Sequence, residues 1–189
     1  MRTSGSTLPQ RLTKIDDLTR PDHSYLTAED DCYFIGEYTA RRGFAFSSTN
    51  NLILNFKKPM DRRNRPAEWP YKGRAIEQAA AMFRASLNER ARETLTFVPI
   101  PPSKARGDPL YDDRLEQMLR KIWPGQTTDV RELVIQPVST PAVHDSADRP
   151  TPAMLEGRYV IDRRLQDPAP QVIAVVDDVI TTSQPARIS

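Results

Sequence analysis

Five consecutive apolar residues, Val172-Ile-Ala-Val-Val176, run without alternation into two adjacent carboxylates, Asp177 and Asp178. An apolar run without a polar face is the pattern of a strand covered on both sides, as in a parallel sheet. In open α/β sheets, ligands bind just beyond the carboxyl ends of the strands. Asp177 and Asp178 would stand at that place. A lone carboxylate costs several kcal/mol (roughly) to bury, so the pair is expected to face solvent, a cation or hydroxyl groups. Thr181, Thr182 and Ser183 follow. Three hydroxyls and three backbone N–H groups in a tight turn can form an anion-binding nest. Carboxylates for sugar hydroxyls and a hydroxyl-rich turn for phosphate together suit a sugar phosphate. The plainer alternative is a core strand followed by a capped turn.

The rest of the chain reads as alternating short strands and helices, the sign of an α/β fold with a mainly parallel sheet flanked by helices. Residues 1–32 read as a polar N-terminal arm with one helical turn near Leu12–Leu18, and residues 33–189 as the folded domain. Tyr33–Thr39 and Asn51–Phe56 are β-prone and predict two strands joined by a hairpin-like stretch at Gly43–Asn50. The proline- and cation-rich stretch Lys57–Pro70 predicts a loop. The helix over Gly73–Arg90 is the clearest: Ala75, Ile76, Ala79, Ala80, Met82, Phe83 and Leu87 share one face. A short apolar run, Leu95–Ile100, leads into a proline-rich loop. Leu110–Trp123 predicts a further helix with Leu115, Met118, Leu119 and Ile122 inward. Glu132–Gln136 and Arg158–Ile161 predict short strands, with a polar loop at 137–152 between them.

Composition narrows the function. Hydrophobic residues make up 38% and charged residues 28%, and the net charge is only +2. A dedicated nucleic-acid binder normally carries a strong basic excess, so nucleic acid is not the expected partner. The single cysteine, Cys32, permits neither an internal disulfide nor a cysteine zinc site, and the two histidines, His23 and His144, lack metal-ligand spacing. The N-terminus has no apolar signal region and no run approaches the ~20 residues needed to cross a bilayer, so a cytoplasmic protein without a membrane segment is expected.

The stretch from Val172 to Thr182 resembles the phosphoribosyl-pyrophosphate (PRPP) motif of type I phosphoribosyltransferases: an apolar strand, two acids, two apolar residues, then Thr-Thr-Gly-x-Thr. A second stretch, Phe97-Val-Pro-Ile-Pro-Pro-Ser-Lys-Ala-Arg-Gly107, is similar to the Val-Pro-Val-Pro segment of the ComF-like group within that family. Weaker likenesses, at Asn51–Lys58 with the Gly73–Arg90 helix and at Asp148-Arg149 with Leu155–Val160, extend the resemblance over residues 50–183. It implies the type I phosphoribosyltransferase fold and a protein that binds PRPP with Mg2+. Asp177 and Asp178 would be the catalytic pair. They would hold the ribose hydroxyls and, through them, meet the metal only indirectly. Thr181, Thr182 and Ser183 would hold the 5-phosphate, and Ser103, Lys104 and Arg106 the pyrophosphate. Cations held against a pyrophosphate leaving group stabilise the charge it develops.

The sequence departs from the family at three places. Ser183 stands where the family has glycine. Pro185 replaces a threonine and removes a backbone N–H. Only Gln184–Ser189 follow where the family continues with a helix and a strand. The resemblance therefore implies a domain incomplete at its C-terminus, with a protein partner or a homo-oligomer covering the incomplete sheet. Thr181 occupies the place where hypoxanthine-type relatives carry an acid, so that nucleobase chemistry is not indicated. Three functions follow as expectations: transfer of the phosphoribosyl group, non-catalytic recognition of PRPP or a nucleotide by a regulatory module, or an inactive truncated fragment.

Overall fold

The computed structural model describes residues 8–9, 11–23, 25–140 and 157–180. Within them the chain is mixed α/β, with a small parallel sheet and a layer of helices. The sheet is built on β3 (Leu95–Pro99), which pairs in parallel with β6 (Val172–Val176), Leu95 opposite Val172 and Pro99 opposite Val176. On the other edge of β3, Phe97 bridges Val130: the Phe97 N–H donates to the Asp129 carbonyl at 2.8 Å, and the Arg131 N–H to the Phe97 carbonyl at 2.9 Å. The Ile100 N–H makes the last rung, donating to the Val176 carbonyl at 2.9 Å; proline at 101 and 102 then offers no N–H to extend the ladder, and the chain leaves the sheet.

The helices cover the sheet face that carries Phe97 and Val176. The core joins Leu52 and Phe56, Ala75, Ile76, Ala80 and Met82, Leu115, Met118 and Leu119, and then Ile122 and Trp123. Leu119 and Ile122 are wholly buried. The Phe97 and Trp123 rings meet tilted, their centroids 6.1 Å apart. The expected inward faces at 75–87 and 115–122 are the ones that pack. The helix α2 itself spans Pro70–Ser86. Proline suits a first turn, whose N–H has no partner in the helix. The chain then breaks at Leu87, and Asn88 caps a separate short helix, α3 (Glu89–Thr94), its side chain accepting the Ala91 N–H. α4 is the seven-residue Arg114–Arg120.

Five expectations are corrected. Asn51–Phe56 is not a strand. It belongs to helix α1 (Ser48–Phe56), started by the Ser47 hydroxyl accepting the Asn50 N–H at 3.0 Å. Thr49, Leu52 and Phe56 fall on one helical face and are buried, against α2, so packing outweighs the β-propensity of the run. The hairpin expected at Gly43–Asn50 is therefore absent. Tyr33–Thr39 forms only the two-residue β2 (Tyr33–Phe34), antiparallel to β1 (Thr13–Lys14). The N-terminal segment has its helical turn at Arg20–Asp22 rather than at 12–18, and Ile15 is buried.

Most consequential, among the described residues β6 is covered on one face only. Ala174 and Val176 turn toward the helices, whereas Val172, Ile173 and Val175 are 49, 52 and 63% exposed. A continuous apolar run records what the strand can bury, not what lies over it. The strands expected at 132–136 and 158–161 are the two-residue β4 (Val134–Ile135) and β5 (Val160–Ile161). They pair antiparallel with each other, apart from the parallel sheet.

These placements predict unequal costs. Leu119→Ala should cost about 2–5 kcal/mol in urea denaturation, because it empties a fully buried site. Ile173→Thr should stay within about 0.5 kcal/mol, because the side chain is half in water already. Equal costs would place the two residues in like surroundings.

Candidate functional site

A cleft opens where β3 and β6 end. Its wall takes in Pro99–Pro102 from the end of β3, Asp177 from the end of β6, and Lys104 and Arg106 from the loop that follows β3. Tyr111–Glu116 form a second side, and Glu132 with Val134–Gln136 a third. Three residues expected at a site, Asp177, Lys104 and Arg106, thus share one cavity although 71 or more positions separate the aspartate from the cations.

Hydrogen bonds to the segment after β4 hold the loop in place. The buried Gln136 side chain donates to the Ser103 carbonyl at 2.7 Å and to the Val138 carbonyl at 3.0 Å. The Thr140 N–H reaches the same Ser103 carbonyl at 2.8 Å. Ser139 accepts the Ala105 N–H at 3.0 Å and donates to Asp108 at 2.7 Å, which keeps Asp108 below the usual carboxylate range. Ser103 is bonded here through its backbone and does not line the cleft, so its expected contact with pyrophosphate lacks geometric support. Among the described residues no carboxylate stands within ion-pair distance of Lys104. Arg106 is held by Glu132 and lies 3.5 Å from Glu116.

The two aspartates, expected to act as one pair, have separate surroundings. Asp178 is closed off, its side chain 6% exposed. Lys57 Nζ donates to its Oδ1 at 2.8 Å; Arg114 Nε donates to Oδ2 at 3.1 Å, and Arg114 Nη2 meets the same oxygen. Burial works against the Asp178 charge, but the Arg114 and Lys57 cations outweigh it and hold the pKa below the ordinary value. Asp177 reaches solvent and lines the cleft. Partial removal from water by the surrounding walls, and then the neighbouring Asp178 charge, push its pKa up. Its Oδ1 accepts the Asp178 N–H at 2.7 Å. Tyr159, just ahead of β5, lies within electrostatic reach: burial first, then Asp177, raises its phenol.

Sequence reading missed the network behind Asp178. Arg114 Nη1 donates to Asp112 Oδ2 at 2.7 Å, and Lys72 Nζ donates to the same oxygen at 2.8 Å. Lys72 also donates to the carbonyls of Phe56 and Lys58, both at 2.9 Å, so all three ammonium protons have acceptors. Burial nevertheless lowers the Lys72 pKa. Burial also opposes the Arg114 charge, but Asp178 and Asp112 more than offset it and raise its pKa. The cations at 57, 72 and 114 could be noted in the sequence. Their partners, up to 121 positions away, could not. Thr181, Thr182 and Ser183, and the stretch 141–156, lie outside the described residues. Among the described residues no group of three His, Cys, Asp or Glu is placed to hold a metal ion, and no helix is long and apolar enough to cross a membrane.

Fold and site together define a mixed α/β protein with a charged cleft at the carboxyl edge of a small parallel sheet. Comparison of the chain with models of known protein families, with curated proteins and with solved structures finds no match in any of the three.

Arg114→Ala should destabilise the fold by about 3 kcal/mol, since it removes the cation shared by two closed-off carboxylates and leaves each with a single lysine. The aspartates should respond to pH with opposite signs. The folded pKa of Asp178 is depressed, so its stabilisation is complete above the unfolded value of about 3.9 and is lost as pH falls through the folded pKa. Asp177 has a raised folded pKa, so its charge opposes folding at neutral pH, and that opposition fades as it protonates. Asp177→Asn should therefore raise the melting temperature at pH 7 and lose that advantage toward pH 3. Melting curves across that range check both signs.

Proposed function

We propose that the cleft binds a sugar phosphate, PRPP carried with Mg2+, and that the protein transfers or recognises the phosphoribosyl group. One observation carries this reading: the exposed carboxylate of Asp177 and the cation of Lys104 line one cavity at the carboxyl ends of parallel strands. Such an edge is where open α/β sheets take ligands. Asp177 is the acceptor for ribose hydroxyls, and Lys104 and Arg106 are the cations for the diphosphate. The resemblance of Val172–Thr182 to the type I phosphoribosyltransferase motif names the sugar phosphate. In that reading Thr181, Thr182 and Ser183 receive the 5-phosphate.

The aspartates divide the work that the motif would give them jointly. Asp178 has its oxygens taken by Lys57 and Arg114, so it acts as an anchor for the end of β6 and does not fit a ligand role toward Mg2+. Among the described residues none donates to Asp177 Oδ2, and Asp177 fits the indirect role, through the ribose. Mg2+ supplies charge neutralisation on the diphosphate. The Lys104 and Arg106 side chains would steady that group as it leaves. The engagement of Asp178 favours a second reading, a regulatory module that recognises PRPP or a nucleotide without turning it over.

Titration calorimetry with PRPP and Mg2+ tests the proposal. Binding is expected, and Asp177→Asn should weaken it about tenfold, the worth of one charge-assisted hydrogen bond. Absence of heat together with an unchanged melting temperature overturns it. Release of pyrophosphate in the presence of amines and nucleobases separates transfer from recognition.

A further inference from the structure

The cation assigned to the diphosphate is not idle in the cleft. Arg106 Nη2 is in contact with Glu132 and lies 3.5 Å from Glu116 Oε2. Glu132 is itself fixed, because the Tyr111 hydroxyl donates to its Oε1 at 2.8 Å. Its side chain is 17% exposed, whereas that of Arg106 is 68% exposed. The acid is therefore the rigid partner and the arginine the movable one. Glu116 is tied down as well, by Arg120 at 2.9 Å. Lys104, on the same loop, has no such restraint among the described residues.

Resting on the reading of the cleft as a sugar-diphosphate site, we infer that Glu132, held by Tyr111, is a latch that occupies Arg106 until a diphosphate displaces it. Three features support this. The Glu132 carboxylate offers Arg106 the kind of acceptor a diphosphate offers, with less charge. The Arg106 end of the pair lies in solvent, which screens its attraction to Glu132, so the guanidinium can exchange partners at small cost. A diphosphate carries several negative charges and can reach Arg106 and Lys104 together, which a single carboxylate cannot.

A double-mutant cycle read by titration calorimetry with inorganic pyrophosphate tests the latch. In the full chain, Glu132→Gln should tighten pyrophosphate binding about three- to fivefold, the factor that an exposed ion pair is worth. Tyr111→Phe, which frees Glu132 without altering charge, should tighten it in the same direction by less. In an Arg106→Ala background, Glu132→Gln should change nothing. An equal gain with and without Arg106 reduces Glu132 to a general negative charge and overturns the latch. So does the absence of any gain in Glu132→Gln protein that melts as wild type does, with Tyr111→Phe equally silent. Those outcomes leave PRPP binding intact. If wild type and both variants bind neither pyrophosphate nor Mg2+-PRPP, the reading of the cleft fails and the latch falls with it.

Discussion

A chain of charges under the end of β6 sets the relation between the helices and the sheet. Lys72, Asp112, Arg114, Asp178 and Lys57 follow one another from the start of α2, past the start of α4, to the strand end and back to the end of α1. Hydrophobic packing brings these elements together, but it has no direction. The ion pairs have direction: each names a partner atom, and a slip of one helix by a turn would leave buried charge unmatched. Removal of either end of such a chain is costly because the remaining charge cannot return to water. The position of Asp177 is a by-product. With Asp178 pinned behind it, the preceding residue is presented to the cleft.

That arrangement alters what two adjacent acids mean. Side by side in sequence, Asp177 and Asp178 look like equals. In the fold one has become part of the frame and the other part of the cavity, and their proton affinities move in opposite directions accordingly. The cleft repeats this pattern on its far side, where Arg106 is matched by Glu132 while Lys104 lies without an ion-pair partner among the described residues. Each bank thus combines a group in use with one in reserve.

Local rhythm explains what the sequence made legible. The inward stripes at Ala75–Phe83 and Leu115–Ile122 are set by helical spacing within one segment, and both pack as their spacing implies. β3 and β6 are strands, and Asp177, Lys104 and Arg106 do converge. Failures occurred where the decisive partner was remote. Asn51–Phe56 has β-prone residues, yet Ser47 and the surface of α2 make it a helix. The five apolar residues of β6 announce a strand but say nothing of the layer above it. The claims of Lys57 and Arg114 on Asp178 cross 121 and 64 positions and leave no local trace.

The outward side of β6 has a colloidal consequence. Ile173 and Val175 point to that side, and Val172 at the start of the strand is half in water too, with no charge among the three to discourage close approach. With a net charge of only +2, the molecule has little long-range repulsion to keep such surfaces apart. Sulfate and phosphate salts, which favour withdrawal of apolar surface from water, will therefore drive molecules together, and mild urea will disperse them.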